Sequence, residues 1–212
     1  MRRPAAVVFG VGILLVLVAV SVFVVARDPA EPPTTEGAAA AERLATEAPA
    51  PPATTARAAQ PITPQRLRIP GIGVDATVLP VGVEAATGEM EVPRAVDRVG
   101  WYRYGPALDA PAGSMVIAGH VDDASQGPGA FFELRDLGID DRLVVTGTDG
   151  TDRRYRVVAR EVFDKSAVPL DRLFSRDGAP RLTLVTCGGS FDRAARSYRD
   201  NVVVTAVEEA GR

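Results

Sequence analysis

The stretch "RLTLVTCGGSFDRAARSYRDNVVV", residues 181–204, contains two β-branched apolar runs joined by a short polar segment. This pattern predicts two neighbouring strands, with the only cysteine of the chain, Cys187, at the end of the first. Alternation along that run assigns Leu182 and Leu184 to one face and Cys187 to the other. Because the leucine face is expected to be buried in the core, we expect Cys187 on the opposite face. The two glycines that follow have no side chains and leave room for a substrate to reach the thiol.

Comparable short runs bounded by Gly, Pro and Asp recur throughout residues 66–210. We predict strands at 66–70, 76–83, 89–93, 114–121, 142–148, 153–163, 181–187 and 199–207. Asp149-Gly150 lies between two of these runs and is typical of a hairpin turn. Helical pattern is confined to residues 130–137 and 169–174. About eight strands with little helix favour an all-β barrel or sandwich.

The N-terminus carries an apolar segment, residues 5–26, that contains no charged residue. A bilayer is crossed by a helix of about 20 apolar residues, so this segment predicts a transmembrane anchor. Two arginines precede it, and the positive-inside rule therefore places residues 1–4 in the cytoplasm and the rest of the chain outside. A cleaved secretory signal ending at Ala26 is the alternative, although its apolar core would exceed the usual ~7–15 residues. Both interpretations export the remaining chain.

Residues 27–65 are rich in Ala, Pro, Thr and Glu and contain no aromatic residue. Such a segment buries too little apolar area to offset its chain entropy, so we predict a disordered linker. Its prolines favour extended conformations that hold a domain away from the membrane. Only the portion "AAAAERLATEA" has the composition for a turn or two of helix.

Composition excludes several classes of function for the remaining domain, residues 66–210. The formal net charge of the chain is −3, which provides no basic field for nucleic acid. Lys165 is the only lysine among 24 basic residues, so any single arginine is weak evidence of function. One cysteine excludes an intrachain disulfide, and the exported domain must therefore depend on its core.

Cys187 has two interpretations, a small buried hydrophobic residue or a nucleophile. An unpaired thiol outside the cytoplasm is an oxidation liability unless it is used, which favours the nucleophile. A nucleophilic thiol needs a base or a nearby positive charge. The only histidine, His120, also follows an apolar β run, although a surface histidine bonded to Asp122 has the same sequence pattern. Loop positions on a rigid β scaffold are where catalytic groups tend to lie.

An acyl-transfer site also needs a donor for the developing oxyanion. Arg199 opens the strand after Cys187, and antiparallel pairing of the two strands would bring it beside the thiol. Arg193 and Arg196 in the connecting loop are rivals, whereas Arg181 lies at the wrong end of its strand.

Three segments together resemble the motifs of a known family. "IAGHVD", "TLVTC" and "YRDNVVV" are similar to the histidine, cysteine and arginine segments of sortases, the membrane-anchored cysteine transpeptidases of Gram-positive bacteria. The resemblance extends over about residues 66–207. The longer segments "VGWYRYGPALDAPAGSMVIAGHVD" and "TCGGSFDRAARSYRDNVVV" most resemble class F sortases of actinobacteria, in keeping with the arginine-rich composition.

The resemblance implies an eight-stranded β-barrel with a groove beside the cysteine strand. It implies that Cys187 attacks the Thr–Gly carbonyl of an LPxTG-like sorting signal to give a thioester, which an amine of a peptidoglycan precursor or a pilin lysine resolves. His120 would act as general acid and then general base, and Arg199 would hold substrate and oxyanion. Residues around Trp101 and Phe131 are candidates to line the groove, but core packing is the expected role of both.

Class A sortases use a carboxylate-lined calcium site, for which Asp122, Asp123, Asp140 and Asp141 are candidates by charge alone. Their spacing matches no calcium loop, so we interpret them as turn aspartates and expect no cofactor and no metal. No long lid and no second membrane segment is evident in the sequence, which favours a general anchoring role over pilus assembly.

Other functions compete with this interpretation. The cysteine of L,D-transpeptidases typically follows Ser-His-Gly, whereas Cys187 follows Val-Thr. A serine hydrolase that uses Ser190 would need a GxSxG elbow, and a zinc site would need more than one Cys and one His. A non-enzymatic binding domain tethered to the membrane explains the anchor and linker equally well. It gives no reason for the sole thiol and the sole imidazole to lie at strand ends.

Overall fold

β-Strands dominate the part of the chain that the structure, a computed structural model, describes, namely residues 34–48, 60–194 and 197–209. The strands are β1 (Pro64–Ile69), β2 (Val74–Val81), β3 (Val99–Tyr102), β4 (Ser114–Gly119), β5 (Asp122–Asp123), β6 (Gly127–Pro128), β7 (Arg142–Gly147), β8 (Asp152–Asp164), β9 (Arg181–Asp192) and β10 (Ser197–Glu208). The α-helices are α1 (Ala38–Thr46) and α2 (Leu170–Leu173), and 3-10 turns occur at Pro70–Ile72, Leu134–Asp136 and Lys165–Ala167.

Eight of the strands in the described ranges close into a barrel, in the order β1-β2-β3-β4-β9-β10-β8-β7. The β2–β3 and β4–β9 pairs are parallel and the other pairs of the barrel are antiparallel. The short strands β5 and β6 form a separate two-stranded sheet directly after β4. The predicted all-β barrel is therefore confirmed, and its closure leaves no free edge in the sheet.

The core lies inside the barrel and is built from the inward-facing alternate residues of its strands. On β9 these are Leu182 and Leu184, both fully buried, and on β4 they are Met115 and Ile117. Phe131 also joins the core from the connection that follows β6. Burial of each such large apolar side chain contributes about 1.5–3 kcal/mol. The strand alternation predicted from the sequence therefore sets which face of each strand is inside.

The strand predictions fail at one segment and omit another. Residues 89–93 form no strand, because Met90 makes only an isolated bridge with Val83. The neighbouring Val99–Tyr102 is a strand, β3, although four residues in a Gly-containing stretch give too short a pattern to distinguish it. The Asp149-Gly150 turn joins β7 to β8 as a hairpin, as predicted. Residues 169–174 contain the short helix α2, whereas 130–137 form only turns and one 3-10 turn.

Within the predicted linker, residues 27–65, residues 34–48 are ordered rather than disordered, and the helical turn expected in "AAAAERLATEA" is present as helix α1. Residues 34–48, here called the strap, contain helix α1 and lie against the barrel. Glu36 forms a backbone bridge with Arg160 of β8, and the Arg160 guanidinium donates to the Thr34 carbonyl at 3.2 Å and to Glu36 at 3.1 Å. Arg160 lies more than a hundred positions from the strap in the sequence, so the composition of the strap gives no sign of these contacts.

The predicted anchor, residues 5–26, and the cytoplasmic residues 1–4 lie outside the described ranges. Within the described ranges no helix is both long enough and apolar enough to span a membrane.

Candidate active site

Cys187 lies on the outer face of the barrel wall, as the alternation predicts. Its strand, β9, sends Leu182 and Leu184 into the core, while the Cys187 side chain is half-buried. The side chain of Thr186 points to the inner face and is buried, and its hydroxyl donates to the Gly119 carbonyl at 2.8 Å. This bond ties the end of β4 to β9 at the residue before the cysteine.

His120 is brought to Cys187 by the parallel pairing of β4 with β9. The register pairs Ser114 with Arg181 and Ala118 with Val185. Continuing it by two residues aligns His120 with Cys187, on the same outer face because both strands alternate in step. The buried hydrogen bond between the Ser114 and Thr183 hydroxyls, at 2.7 Å, marks that face lower down the same two strands. The ladder ends at the Ala118–Val185 pair, and its continuation brings His120, directly after β4, to the level of Cys187 on β9.

A backbone carbonyl orients the imidazole ring of His120. Its Nε2 lies 2.9 Å from the Pro93 carbonyl oxygen. Because a carbonyl can only accept, Nε2 must carry the proton, and Nδ1 is the nitrogen left to exchange a proton with a reacting group. Gly129 packs against the backbone of His120, since a Cβ there would collide with the His120 carbonyl oxygen. The hydrogen bond therefore orients the ring, and close packing holds the backbone that carries it.

Arg199 lies on the strand next to the cysteine strand. Strand β10 pairs antiparallel with β9, as predicted, and sets Asn201 opposite Cys187. Arg199 lies two residues earlier, where a register shift leaves it between the Tyr198–Phe191 and Asp200–Gly188 pairs. Its side chain is 65% exposed and forms an ion pair with Asp192 at 3.3 Å. A surface ion pair is worth about 0–1 kcal/mol, so the side chain is available to a ligand.

The rival arginines occupy different positions. Arg193 is exposed in the turn between β9 and β10. Arg196 lies outside the described ranges. Arg181, at the far end of β9, is buried, and its guanidinium donates to the carbonyls of Ala179 and Arg172, each at 3.0 Å. Arg181 is therefore a structural residue that joins the chain around α2 to the barrel.

The two glycines after the cysteine are required by the backbone. Gly189 has a φ of 72°, a left-handed conformation that side chains disfavour. A Cβ at Gly189 would collide with the Asp200 carboxylate, and one at Gly188 would lie 2.7 Å from a Val202 methyl. Both glycines therefore fit the irregular pairing beside Cys187.

Four outward-facing residues form a row across the barrel wall at the level of the cysteine. Asn201 pairs with Cys187 on one side and with Phe163 of β8 on the other, and residues opposite each other in antiparallel strands share a face. The row therefore runs from Phe163 through Asn201 and Cys187 to His120. At its Phe163 end lies a cleft of about 720 Å³ bounded by residues 168–172 and by Glu42 of the strap. The row and cleft provide a surface on which an extended peptide could lie.

The family-model comparison decides between the competing interpretations: the model of the sortase domain matches residues 67–209. The chain belongs to the sortase family. Sortases are cysteine transpeptidases, and this sortase is therefore an enzyme of that kind rather than a tethered binding domain or an L,D-transpeptidase. No curated protein matches its sequence.

Solved sortase structures share the fold of this sortase at low sequence identity. Sortase C1 from Streptococcus suis is 16% identical with a TM-score of 0.53, covering 70% of this chain and 74% of that one. Sortase C-1 from Streptococcus pneumoniae is 18% identical with a TM-score of 0.52, covering 70% and 67%. A lid mutant of sortase A from Corynebacterium diphtheriae is 23% identical with a TM-score of 0.50, covering 73% and 74%.

One contact beside the active site of this sortase was not evident from the sequence. The Tyr198 hydroxyl donates to the Asp122 carboxylate at 2.5 Å, joining β10 to the sheet after His120. Partial burial, the hydrogen bond to Asp122 and the charges of Asp122 and Cys187 raise the pKa of Tyr198 to about 12. Both residues flank a proposed catalytic residue in the sequence, but nothing in their spacing predicts that they meet.

The remaining calcium candidates have protein partners. Asp123 accepts hydrogen bonds from Ser125 that lower the pKa of its carboxyl below the usual range. Asp140 pairs with Arg156 at 2.7 Å, and Asp141 accepts from the Gly138 amide at 2.8 Å. Within the described ranges no group of three metal-ligating side chains converges. Each of the four carboxylates therefore has a protein partner.

Trp101 and Phe131 are core residues. Trp101 is 6% exposed, and its indole donates to the Pro106 carbonyl at 3.1 Å. Phe131 is fully buried. Both side chains therefore pack in the core, as expected, and neither belongs to the row of outward-facing residues that contains Cys187.

Proposed function

We propose that this sortase cleaves an LPxTG-like sorting signal between Thr and Gly through a thioester on Cys187. The observation that carries the proposal is the parallel register of β4 with β9, whose continuation past Ala118 and Val185 would align the sole histidine with the sole cysteine. Arg199 lies on the neighbouring strand, two residues before the partner of Cys187. A nucleophile, a proton carrier and an oxyanion donor would then surround one half-buried position, which is what acyl transfer needs.

The first half-reaction transfers the acyl group to the enzyme. The thiol proton of Cys187 passes to Nδ1 of His120, and the sulfur attacks the threonine carbonyl carbon. A C–S bond forms, and the negative charge that develops on the carbonyl oxygen is met by the Arg199 guanidinium. His120 then gives its proton to the glycine nitrogen as the C–N bond breaks. Because the Pro93 carbonyl already holds Nε2–H, the ring does not need to reorient to protonate the leaving amine.

The second half-reaction releases the product. An acceptor amine attacks the thioester carbonyl, and His120 takes up its proton and passes it to the sulfur as the C–S bond breaks, which restores the Cys187 thiol. We propose an amine of a peptidoglycan precursor or a pilin lysine as the acceptor class. The half-buried position of Cys187 on the outer wall supports this, since an acceptor can approach from solvent while the peptide occupies the row towards Phe163.

The test uses the full chain in detergent micelles with an LPxTG-type peptide. We expect a covalent adduct on Cys187, detected by intact-protein mass spectrometry, whose mass equals the peptide up to threonine. Hydroxylamine should release it, as it does thioesters, and an added amine should convert it to the transfer product. A scrambled peptide of the same composition is the control. Absence of any adduct with a panel of sorting-signal peptides would disprove the proposed substrate.

Replacement of Arg199 by lysine should lower kcat/KM about 10²-fold, the usual cost of losing one oxyanion donor. An ammonium keeps the charge but not the planar fork of donors that reaches both the substrate and its oxyanion. Arg193→Lys is the matched control, because Arg193 is exposed in the adjoining turn and should leave the rate near normal. A greater loss in Arg193→Lys or Arg196→Lys than in Arg199→Lys would assign the oxyanion role to a different arginine.

We also propose that residues 5–26 anchor this sortase in the cell membrane as a single-pass segment, with residues 1–4 in the cytoplasm and the catalytic domain outside. The apolar length and the preceding arginines support this. Since Cys187 is the only cysteine, a membrane-impermeant thiol reagent applied to intact cells should label it. Labelling that requires cell lysis would disprove the proposed orientation.

We assign the chain to class F and to an actinobacterial source on the basis of the two long segments around His120 and Cys187. Their resemblance to that class and the single lysine among 24 basic residues support the assignment. A general anchoring role follows from it. Efficient polymerisation of a pilin subunit, with little transfer to a peptidoglycan amine, would contradict that role.

A further inference from the structure

Tyr198 contacts the elements that carry all three proposed catalytic residues. It directly precedes Arg199 on β10, and its hydroxyl donates at 2.5 Å to Asp122, two residues after His120. Its ring packs edge-to-face on Phe191, four residues after Cys187 on β9, with ring centroids 5.1 Å apart and an interplanar angle of 72°. One side chain thus joins the histidine, cysteine and arginine segments.

The segment after His120 is held from two opposite sides. On one side, the Pro93 carbonyl bonds the His120 ring and the Arg94 carbonyl accepts from the Gln126 side chain at 3.0 Å. On the other side, Asp122 is bonded to Tyr198. Further bonds hold the same segment, since β5 pairs with β6 and the Phe131 amide donates to the His120 carbonyl at 3.1 Å, but the Tyr198 bond is the contact that joins it to β10. The Tyr198 bond is therefore placed to set how far His120 stands from Cys187.

The chemistry of the contact suits a fixed spacer. A hydrogen bond from a neutral hydroxyl to a carboxylate is shorter and about twice as strong as one between neutral groups. Since the pKa of Tyr198 is raised to about 12, the phenol stays protonated and remains a donor at neutral pH. Between Tyr198 and Asp200 the pairing of β10 with β9 is irregular, so Arg199 has no regular backbone partner on β9. The position of Arg199 therefore depends on contacts of neighbouring side chains.

We propose that Tyr198 is a positioning residue of the transpeptidation reaction: through Asp122 and Phe191 it sets the separation of His120 and Arg199 from Cys187. It touches no substrate and exchanges no proton in this role. The inference rests on the proposed function, because it assigns Tyr198 a task within that reaction.

The test begins with Tyr198→Phe, which keeps the ring on Phe191 and removes only the hydroxyl. We expect kcat for peptide transfer to fall about tenfold with KM unchanged, because a lost bond to a charged group misplaces the reacting groups without touching bound peptide. Unchanged kcat, or a loss confined to KM, would overturn the proposal.

Variants of Asp122 separate the hydrogen bond from simple packing. Asp122→Ala removes the acceptor and should match the loss in Tyr198→Phe, and the double variant should be no worse than either single one. Asp122→Asn keeps an acceptor oxygen and should restore most of the rate. Additive losses, or an asparagine variant as poor as the alanine variant, would show that the two residues do not act through their bond.

Tyr104→Phe is the matched control. Its hydroxyl accepts from Arg103 at 2.7 Å, and Tyr104 lies in the connection between β3 and β4, away from the end of β4 that carries His120. It should show wild-type kcat. Equal losses of kcat in Tyr104→Phe and Tyr198→Phe would overturn the proposal by showing a non-specific effect.

A second measurement tests the positioning role of Tyr198 independently of the proposed LPxTG-like substrate. The rate of Cys187 alkylation by iodoacetamide at neutral pH needs no peptide, and Cys187 is the only cysteine that can react. It should change in Tyr198→Phe and Asp122→Ala but not in Tyr104→Phe. If iodoacetamide modifies Cys187 of the wild-type protein at a normal rate but none of the tested peptides forms an adduct, the proposed substrate is wrong. The alkylation rates of the variants still test the positioning role of Tyr198. Identical alkylation rates in all variants would overturn the positioning role.

Discussion

Cys187→Ala is expected to reduce peptide cleavage and transfer by at least about 10⁴-fold, because removing a covalent nucleophile removes both half-reactions at once. The thioester adduct should vanish with it. The change deletes one sulfur from a half-buried side chain on the outer wall, so the free energy of unfolding should fall by no more than about 1 kcal/mol. Steady-state kinetics and intact-protein mass spectrometry measure the first effect, and denaturant unfolding measures the second.

The alternative interpretation of Cys187 as a core residue makes the opposite prediction. A buried filler would leave turnover intact and lower stability when truncated. Val202→Ala is a matched comparison, since Val202 is 1% exposed on the neighbouring strand and its loss should cost stability without removing the adduct. If Cys187→Ala destabilised as much as Val202→Ala and retained transfer, the enzyme mechanism through Cys187 would be wrong.

His120→Ala is expected to lower kcat about 10²–10⁴-fold, the usual contribution of a general acid–base group. Acylation should slow because the leaving glycine amine is no longer protonated, and transfer should slow because the incoming amine is no longer deprotonated. Rapid-quench measurement of adduct formation, followed by amine addition, separates the two steps. Added imidazole should recover part of the rate, because it can occupy the vacated space and carry the proton.

Loss of the hydrogen bond to Pro93 must be distinguished from loss of catalysis in this variant. That bond is worth about 1 kcal/mol, which corresponds to a melting shift of about 2–4 °C in a domain of this size. Asp123→Ala provides a comparison, because it also releases contacts in the segment after β4 while leaving the ring in place. Near-normal kinetics in His120→Ala, with or without a melting shift, would remove His120 from the mechanism.

The proposed catalytic residues were accessible from the sequence for a specific reason. The chain holds one cysteine and one histidine, so only one pairing of thiol and imidazole exists, and each follows a β-branched run. Arg199 was harder to choose among so many arginines. Its selection depended on antiparallel pairing of β9 with β10, which a short connection between neighbouring strands makes the simplest arrangement.

Contacts between distant segments were not accessible in the same way. The strap was predicted to be disordered because its own composition buries little, yet Arg160 of β8 and the chain near Ala179 bind it. The bond between Tyr198 and Asp122 joins residues 76 positions apart. Neither polar contact leaves a periodic trace in the sequence, since a single hydrogen bond needs only one donor and one acceptor.

The amino-acid sequence alone determined most of the strand segments and which face of each is apolar, because alternation is a local property and burial of the apolar face drives strand packing. That was enough to put Cys187 on the outer side of β9. Only the tertiary structure decided that β4 lies parallel beside β9 and that Tyr198 reaches Asp122. Such pairings depend on how the whole barrel closes, and closure is a property of all eight strands together rather than of any one of them.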